Sequence, residues 1–91
     1  MDNDIERVTI SLQREWSWFN DLNDARQEVL ANMCFNLGLA GLRKFQRMIA
    51  ALERQDWLDA SREMLDSKWA TQVGDRAIRL SNAMRVGQWA G

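Results

Sequence analysis

The sequence predicts an all-α fold, a compact bundle of about six short helices. The 91 residues include no proline and only five glycines, so the residues that punctuate a β fold of many turns are scarce. Apolar residues recur at spacings of three and four, the period of one helix face. With 46% hydrophobic and 27% charged residues, the composition is typical of one globular domain, neither disordered nor membrane-spanning.

Two apolar stripes predict the first two helices. The first stripe consists of Ile5, Val8, Leu12, Trp16 and Phe19. Asn20 to Asn23 interrupts this pattern, and Asp24 with Gln27 three residues later predicts a capping box for the second helix. The second stripe consists of Leu30, Met33, Cys34 and Leu37. It ends at Gly38, a residue type typical of helix ends. Because Cys34 lies on this apolar stripe, we expect it to be a small buried hydrophobic residue.

The remaining helices are short and separated by recognisable caps. Residues 38–41 predict a turn or one helical turn. A third stripe consists of Leu42, Phe45, Ile49 and Leu52. Asp56 and Ser67 are expected to cap two short helices, carrying Trp57 and Trp69 respectively. Residues 74–75 open the last helix, which carries the apolar residues Ala77, Leu80 and Met84 and closes at Gly87.

Missing residue types exclude several chemistries. The chain has no histidine and one cysteine, which excludes histidine-based triads, histidine zinc sites, intrachain disulfides and thiolate clusters. Carboxylates are therefore the main catalytic candidates, and we expect no metal and no cofactor.

The charges are unevenly distributed along the chain. The net charge is −1, but residues 1–40 hold three bases and seven acids (3 − 7 = −4), whereas residues 41–91 hold nine bases and six acids (9 − 6 = +3). This division indicates one cationic face, suited to nucleic acid, an anionic cell wall or an acidic partner. A solvated surface without a partner is the alternative interpretation.

Five runs of residues carry a resemblance to a known family. They are Arg26–Gly38, Asp56–Trp57, Met64–Ala70, Gln72–Ala77 and Gly87–Trp89. In these runs the chain resembles the C-terminal lobe of the phage-type lysozymes, the muramidases of glycoside hydrolase family 24. The resemblance implies one helical domain over residues 1–91, with 1–20 as part of the helix that joins two lobes and 21–91 as the lobe itself. It also implies a relation to enzymes that hydrolyse the β-1,4 bond between N-acetylmuramic acid and N-acetylglucosamine in peptidoglycan.

The family's catalytic residues lie in an N-terminal lobe that we expect this chain to lack. That lobe supplies a Glu, an Asp or Cys, and a Thr at fixed spacings. Only Glu15 has an acid at the family's distance, Asp24, and Leu30 then stands where the family has Thr. The resemblance therefore predicts no catalytic residue and no hydrolytic activity from these 91 residues alone.

Four residues of this chain match functional positions of the family. Phe35 matches an aromatic residue at the sugar-binding cleft, and Asn36 matches an amide near the peptide part of the substrate. Arg76 matches the arginine that pairs with the catalytic Glu of the other lobe, and Asn32 matches the residue that supports this arginine. The alternatives are a core position for Phe35 and ordinary surface positions for Asn36 and Arg76.

Other matched positions are less informative about substrate. Two further cleft positions hold Met48 and Glu63, which depart from the family's pattern. Tryptophans at positions 57, 69 and 89 match family tryptophans and are expected to anchor the core. Trp16 and Trp18 are two residues apart, so they cannot share a helix face, and we expect one of them to be exposed.

The expected partners follow from the same resemblance. They are peptidoglycan, an N-terminal lobe supplied in trans, and a second copy bound through exposed apolar surface; nucleic acid and membrane are not expected. The alternative function is a helical protein-interaction or DNA-binding regulatory module, because Arg43, Lys44 and Arg47 follow the turn at residues 38–41. A net charge of −1 argues against DNA. Without a secretory signal the expected location is the cytoplasm, and the resemblance implies a phage-encoded protein that acts on the host cell wall.

Overall fold

Helices make up most of the chain in the computed structural model, which describes residues 3–89, with side chains from residue 6 onward. The elements are α1 (Asn3–Glu15), a 3-10 helix (Ser17–Asp21), α2 (Asp24–Arg43), α3 (Gln46–Glu53), α4 (Trp57–Leu65), α5 (Lys68–Val73) and α6 (Asp75–Val86). No strand occurs within residues 3–89, so the all-α prediction is confirmed. No helix in this range is long and apolar enough to cross a membrane.

Helices α4 and α6 form the most extensive helix pair, and the other helices pack on them or on α2. Helix α1 packs on α2, while α6 contacts α2, α4 and α5, and α3 packs on α4. The largest side chains of the core are fully buried and come from all the predicted stripes: Leu12, Phe19, Leu30, Met33, Leu42, Leu52, Met64 and Met84. Cys34 is also buried, as its place on the second stripe predicts. The three principal extents of 29, 28 and 27 Å are nearly equal, so the helices enclose one core.

The first helix ends earlier than its stripe indicates. Helix α1 stops at Glu15, and Trp16 is extended, with φ −134° and ψ 116°. Phe19 nevertheless reaches the core from the 3-10 helix. The stripe therefore correctly identified buried residues across a break in the helix, since burial depends on the final packing and not on one continuous helix. Ile5 lies outside the described side chains.

The N-cap of α2 lies one residue before the predicted one. Asn23, not Asp24, is the N-cap, and its side-chain oxygen accepts a hydrogen bond from the Arg26 backbone N–H at 3.0 Å. Gln27 instead donates its amide to the carbonyl oxygens of Phe19 and Leu22, at 3.1 and 3.0 Å. The predicted capping box is therefore wrong, because Gln27 lies one residue too far along the helix to complete it.

Several later helix boundaries agree with the sequence, but the third stripe does not form one helix, because Leu42 lies in α2 and Phe45 precedes α3 as its N-cap. Asp56 accepts from the Asp59 N–H and Ser67 from the Ala70 N–H, which confirms both caps. Gly38 has φ 74° and ψ 164°, so the helical path of α2 breaks there. Gly87 closes α6 in the left-handed conformation, a conformation that costs an L residue energy but suits glycine. Helix α2 thus presents residues 35–36 in its last turn before the break.

The two tryptophans after α1 differ from expectation. Trp16 and Trp18 are both half-buried and their rings stack, with centroids 5.4 Å apart and planes at 24°. The prediction that one of them is exposed is wrong, because it assumed that a single helix carries both. Helix α1 ends before both of them, at Glu15, and the extended residue 16 lets both rings turn to the same side.

Candidate functional site

One exposed face of α2 carries three of the four residues that match functional positions. Residues 28, 32, 35 and 36 are spaced by three and four, so their side chains share one face of the helix. Phe35 is 61% exposed although its neighbours Met33 and Cys34 are buried. Phe35 is therefore a surface aromatic residue and not part of the core.

The polar residues of this face are held by hydrogen bonds within α2. The Asn36 amide donates to the Asn32 carbonyl at 3.2 Å, and the Asn32 amide donates to the Glu28 carbonyl at 2.8 Å. Each asparagine thus uses its NH₂ group on the preceding turn, which turns its side-chain oxygen outward as an acceptor. The orientation of both side chains is fixed before any ligand arrives.

Arg76 is joined to this face from α6. Its guanidinium donates to the Asn32 side-chain oxygen at 2.9 Å. Arg76 is exposed, and it forms no ion pair with any carboxylate within residues 6–89, whose side chains the structure describes. The structure therefore brings Asn32 and Arg76 together, 44 residues apart in sequence, and leaves other guanidinium donors available for an anionic group.

Trp89 and Glu28 extend the same surface. The Trp89 indole N–H donates to a Glu28 carboxylate oxygen at 2.8 Å, and Trp89 is 41% exposed. The expectation that Trp89 anchors the core is wrong, whereas Trp69 is 3% exposed and confirms it; Trp57 is half-buried. Glu28 could have been found from its position one turn before Asn32, but nothing local in the sequence places Trp89 beside it.

The two departures from the family's pattern lie together at another hollow. Met48 and Glu63 both line a cavity of about 350 Å³ between α3 and α4, whose rim also holds Lys44, Arg47 and Asp66. Met48 is fully buried, so it contributes apolar floor and no polar contact. Glu63 is half-buried and is available as a charged group on the rim.

The residues considered for other chemistry are otherwise engaged. Arg43 donates two hydrogen bonds to the Glu15 carboxylate, at 2.9 and 2.7 Å, and these bonds lower the pKa of Glu15. Three basic residues follow the turn at residues 38–41. Arg43 is paired with Glu15, whereas Lys44 and Arg47 form no ion pair with a carboxylate in the described part of the chain. Burial raises the pKa of the Cys34 thiol, so it stays protonated and unreactive at neutral pH.

Metal ligation has no counterpart in the described residues. No group of three or more His, Cys, Asp or Glu side chains converges among the side chains described, those of residues 6–89. Residues 28, 32, 35, 36, 76 and 89 form instead a surface of one acid, two amides, two exposed aromatic rings and one guanidinium. We call it the α2–α6 surface. Such groups are chemically suited to a polar ligand that also has apolar faces.

The sequence of this all-α chain is related to those of the phage-type lysozymes. Probable T4-type lysozyme 2 of Dictyostelium discoideum is 32% identical over 69 residues, which are 76% of this chain and 41% of that protein. Probable T4-type lysozyme 1 of the same organism is 26% identical over 69 residues, again 76% of this chain and 41% of that protein. The pre-baseplate central spike protein Gp5 of Enterobacteria phage T4 is 32% identical over 84 residues, 92% of this chain and 15% of that protein.

These matches confirm the relationship to phage-type lysozymes that the sequence motifs indicate. The chain spans less than half the length of each of the three relatives, so their complete activities do not transfer directly. No protein-family model matches the chain. No solved structure matches it either.

Proposed function

We propose that this chain is the helical lobe of a phage-type lysozyme and forms one wall of a peptidoglycan-binding cleft. In the complete enzyme, the wall opposes a lobe that carries the catalytic carboxylates and cleaves the bond between N-acetylmuramic acid and N-acetylglucosamine. The observation that carries the proposal is the Asn32–Arg76 hydrogen bond beside the exposed Phe35. Such an enzyme would be phage-encoded and would act on the host cell wall.

Each group of the α2–α6 surface has a chemical task in this proposal. The ring of Phe35 offers an apolar face for the C–H face of a sugar. The outward oxygen of Asn36 accepts from a peptide or acetamido N–H. Arg76, oriented by Asn32, pairs with a carboxylate contributed by the opposing lobe, which favours the ionised form or fixes its direction.

The described residues do not supply the hydrolytic step. Glycoside hydrolysis needs two carboxyl groups that flank the scissile bond, one acting as acid. Glu15 is held by Arg43 at 2.7 Å, and the α2–α6 surface contains a single carboxylate, Glu28. Peptidoglycan hydrolysis therefore depends on an N-terminal lobe, in the same polypeptide or supplied in trans.

The test measures peptidoglycan hydrolysis by the purified chain, alone and mixed with the N-terminal lobe of a T4-type lysozyme. A full-length phage-type lysozyme is the positive control. We expect no hydrolysis by the chain alone and measurable hydrolysis by the mixture. The Arg76→Gln variant should abolish the activity of the mixture, while Arg79→Gln, the same change at an exposed arginine of α6, should preserve it.

Two outcomes would contradict the proposal. Hydrolysis by the chain alone would show that its own carboxylates are catalytic, and Glu15 and Asp24 would then be replaced first. Equal activity of the Arg76→Gln and wild-type mixtures would remove Arg76 from the site. A sedimentation experiment with insoluble peptidoglycan tests binding separately, with Phe35→Ala expected to weaken it.

The same surface also suits a protein partner, because Phe35 and Trp89 are exposed on it and interfaces favour aromatic residues and arginine. The partner is then the N-terminal lobe or a second copy of this chain. Light scattering over a concentration series distinguishes the two: a dimer that Phe35→Ala dissolves would favour the second copy, and a persistent monomer would exclude it.

A further inference from the structure

A small cavity lies where the 3-10 helix, the end of α3 and the start of α4 meet, and nothing assigned above uses it. Its volume is about 30 Å³. Two indole rings, two carboxylates, one carboxamide and two buried leucines line it: Trp18, Trp57, Asp21, Glu53, Gln55, Leu22 and Leu52. The walls thus combine aromatic rings, a carboxamide and negative charge over an apolar floor.

The two carboxylates of this cavity have no basic partner among its lining residues. Neither Asp21 nor Glu53 forms an ion pair within the described residues. Arg54, the neighbour of Glu53, is drawn away to Asp56 and Asp59, at 3.6 and 2.9 Å. Helix α3 ends at Glu53, so the negative end of its dipole adds to the same potential.

The aromatic walls are suited to a cation. Trp57 already binds one, because the central guanidinium carbon of Arg26 lies 4.0 Å from its ring centroid. Arg26 itself is not among the residues that line the cavity. Trp18 is stacked on Trp16, which fixes the orientation of its ring. Cations bind indole faces more strongly than the other aromatic faces.

The size of the cavity selects among cations. A space of 10–15 Å³ holds one water molecule, so about 30 Å³ admits roughly two non-hydrogen atoms. A methylene and its ammonium nitrogen fit, whereas a guanidinium, a quaternary ammonium or a sugar ring is too large. We propose that this cavity binds the terminal ammonium group of an unbranched alkylamine, the group that a lysine side chain carries. The proposal is independent of the proposed function.

The experiment follows the indole N–H signals of the ¹⁵N-labelled full chain by NMR during titration with n-butylammonium chloride. We expect saturable shifts of the Trp18 and Trp57 signals, with those of Trp69 and Trp89 unchanged. The Trp18 N–H is a sensitive reporter because it is buried without a hydrogen-bond partner among the described residues. The double variant Asp21→Asn/Glu53→Gln should lower the affinity about tenfold, since two exposed charge pairs are lost.

The controls separate charge from bulk effects. The matched variant Glu6→Gln/Asp75→Asn makes the same charge change at exposed residues outside the cavity and should bind as wild type. Equal shifts with n-butanol or with sodium chloride at the same concentration would overturn the proposal, as would unchanged affinity in Asp21→Asn/Glu53→Gln. A parallel titration with Nα-acetyl-lysine methylamide identifies the source: binding of both ligands supports a peptide-borne ammonium, and binding of butylammonium alone supports a free amine.

Discussion

Arg26 joins the start of α2 to the end of α6, and its replacement by methionine should destabilise the fold substantially. Its Nε donates to the Met84 carbonyl at 2.7 Å and a terminal nitrogen donates to the Arg85 carbonyl at 3.1 Å. The same guanidinium lies over the Trp57 ring. One side chain thus satisfies two carbonyls at the end of a helix, where no backbone N–H is available for them.

The expected magnitude is the sum of these contacts. Hydrogen bonds to charged groups contribute about 1.5–3 kcal/mol each. The guanidinium is only half-buried, so water replaces part of each bond and about 1 kcal/mol apiece is the appropriate value. The cation–π contact adds about 0.5–1 kcal/mol at a partly exposed site. Methionine keeps the apolar stem, so Arg26→Met should lower the free energy of unfolding by about 2–3 kcal/mol.

Thermal and urea unfolding, followed by tryptophan fluorescence, measure this loss. For a domain of this size each kcal/mol corresponds to about 4–8 °C, so the melting temperature should fall by about 10–20 °C. Arg79→Met is the control, because Arg79 is exposed and its loss should change stability by less than about 0.5 kcal/mol. If Arg26→Met changed stability no more than Arg79→Met, the link between α2 and α6 would carry no net energy.

Three further predictions rest on single residues. Gln55 has φ 60° at the end of α3, where glycine is favoured, so Gln55→Gly should raise the free energy of unfolding by about 1 kcal/mol in urea; a loss of stability would contradict this. Arg43 lowers the pKa of Glu15, so wild type should exceed Glu15→Gln in stability above the unfolded pKa of about 4.3 and lose that advantage as pH falls through the lower folded pKa; a difference that persisted at pH 2 would refute it. Cys34 is buried, and burial raises the pKa of its thiol, so a thiol reagent at pH 8 should modify it only at the rate at which the fold opens. The stability of wild type relative to Cys34→Ala should fall above about pH 8.5, because there the thiol ionises only in the unfolded chain. Rapid modification of the native chain would disprove the burial of Cys34.

Capping residues and apolar periodicity, which are local features of the sequence, predicted the helices and the core best. Caps at Asp56 and Ser67 and the helix end at Gly87 depend on residues within one turn of each other, so their chemistry is legible without the fold. The apolar stripes likewise identify buried residues, because exposing an apolar side chain to water raises the free energy of the folded chain. Phe35 does not belong to the second stripe (Leu30, Met33, Cys34 and Leu37), and its side chain is indeed exposed.

The candidate site could be predicted only in part. The resemblance pointed to Asn32 and Arg76, and the structure brings them to 2.9 Å, while their proposed role with a second lobe stays a prediction. Trp89 was expected in the core but lies on the surface beside Glu28. A tryptophan has both a large apolar ring and a polar N–H, so composition alone does not determine which of the two the fold will satisfy.

By itself, the sequence determined that the chain is helical, where most helices begin and end, and which residues are apolar enough to form one core. The tertiary structure alone decided that α1 stops at Glu15, that Asn23 caps α2, and that Gly87 lies against α6's partner helix. At Gly87 a Cβ atom would lie 2.8 Å from the Asn23 amide nitrogen and 3.0 Å from the Arg26 guanidinium. These contacts join residues about 60 positions apart, and their energy exists only when the helices are already packed, so no local pattern encodes them.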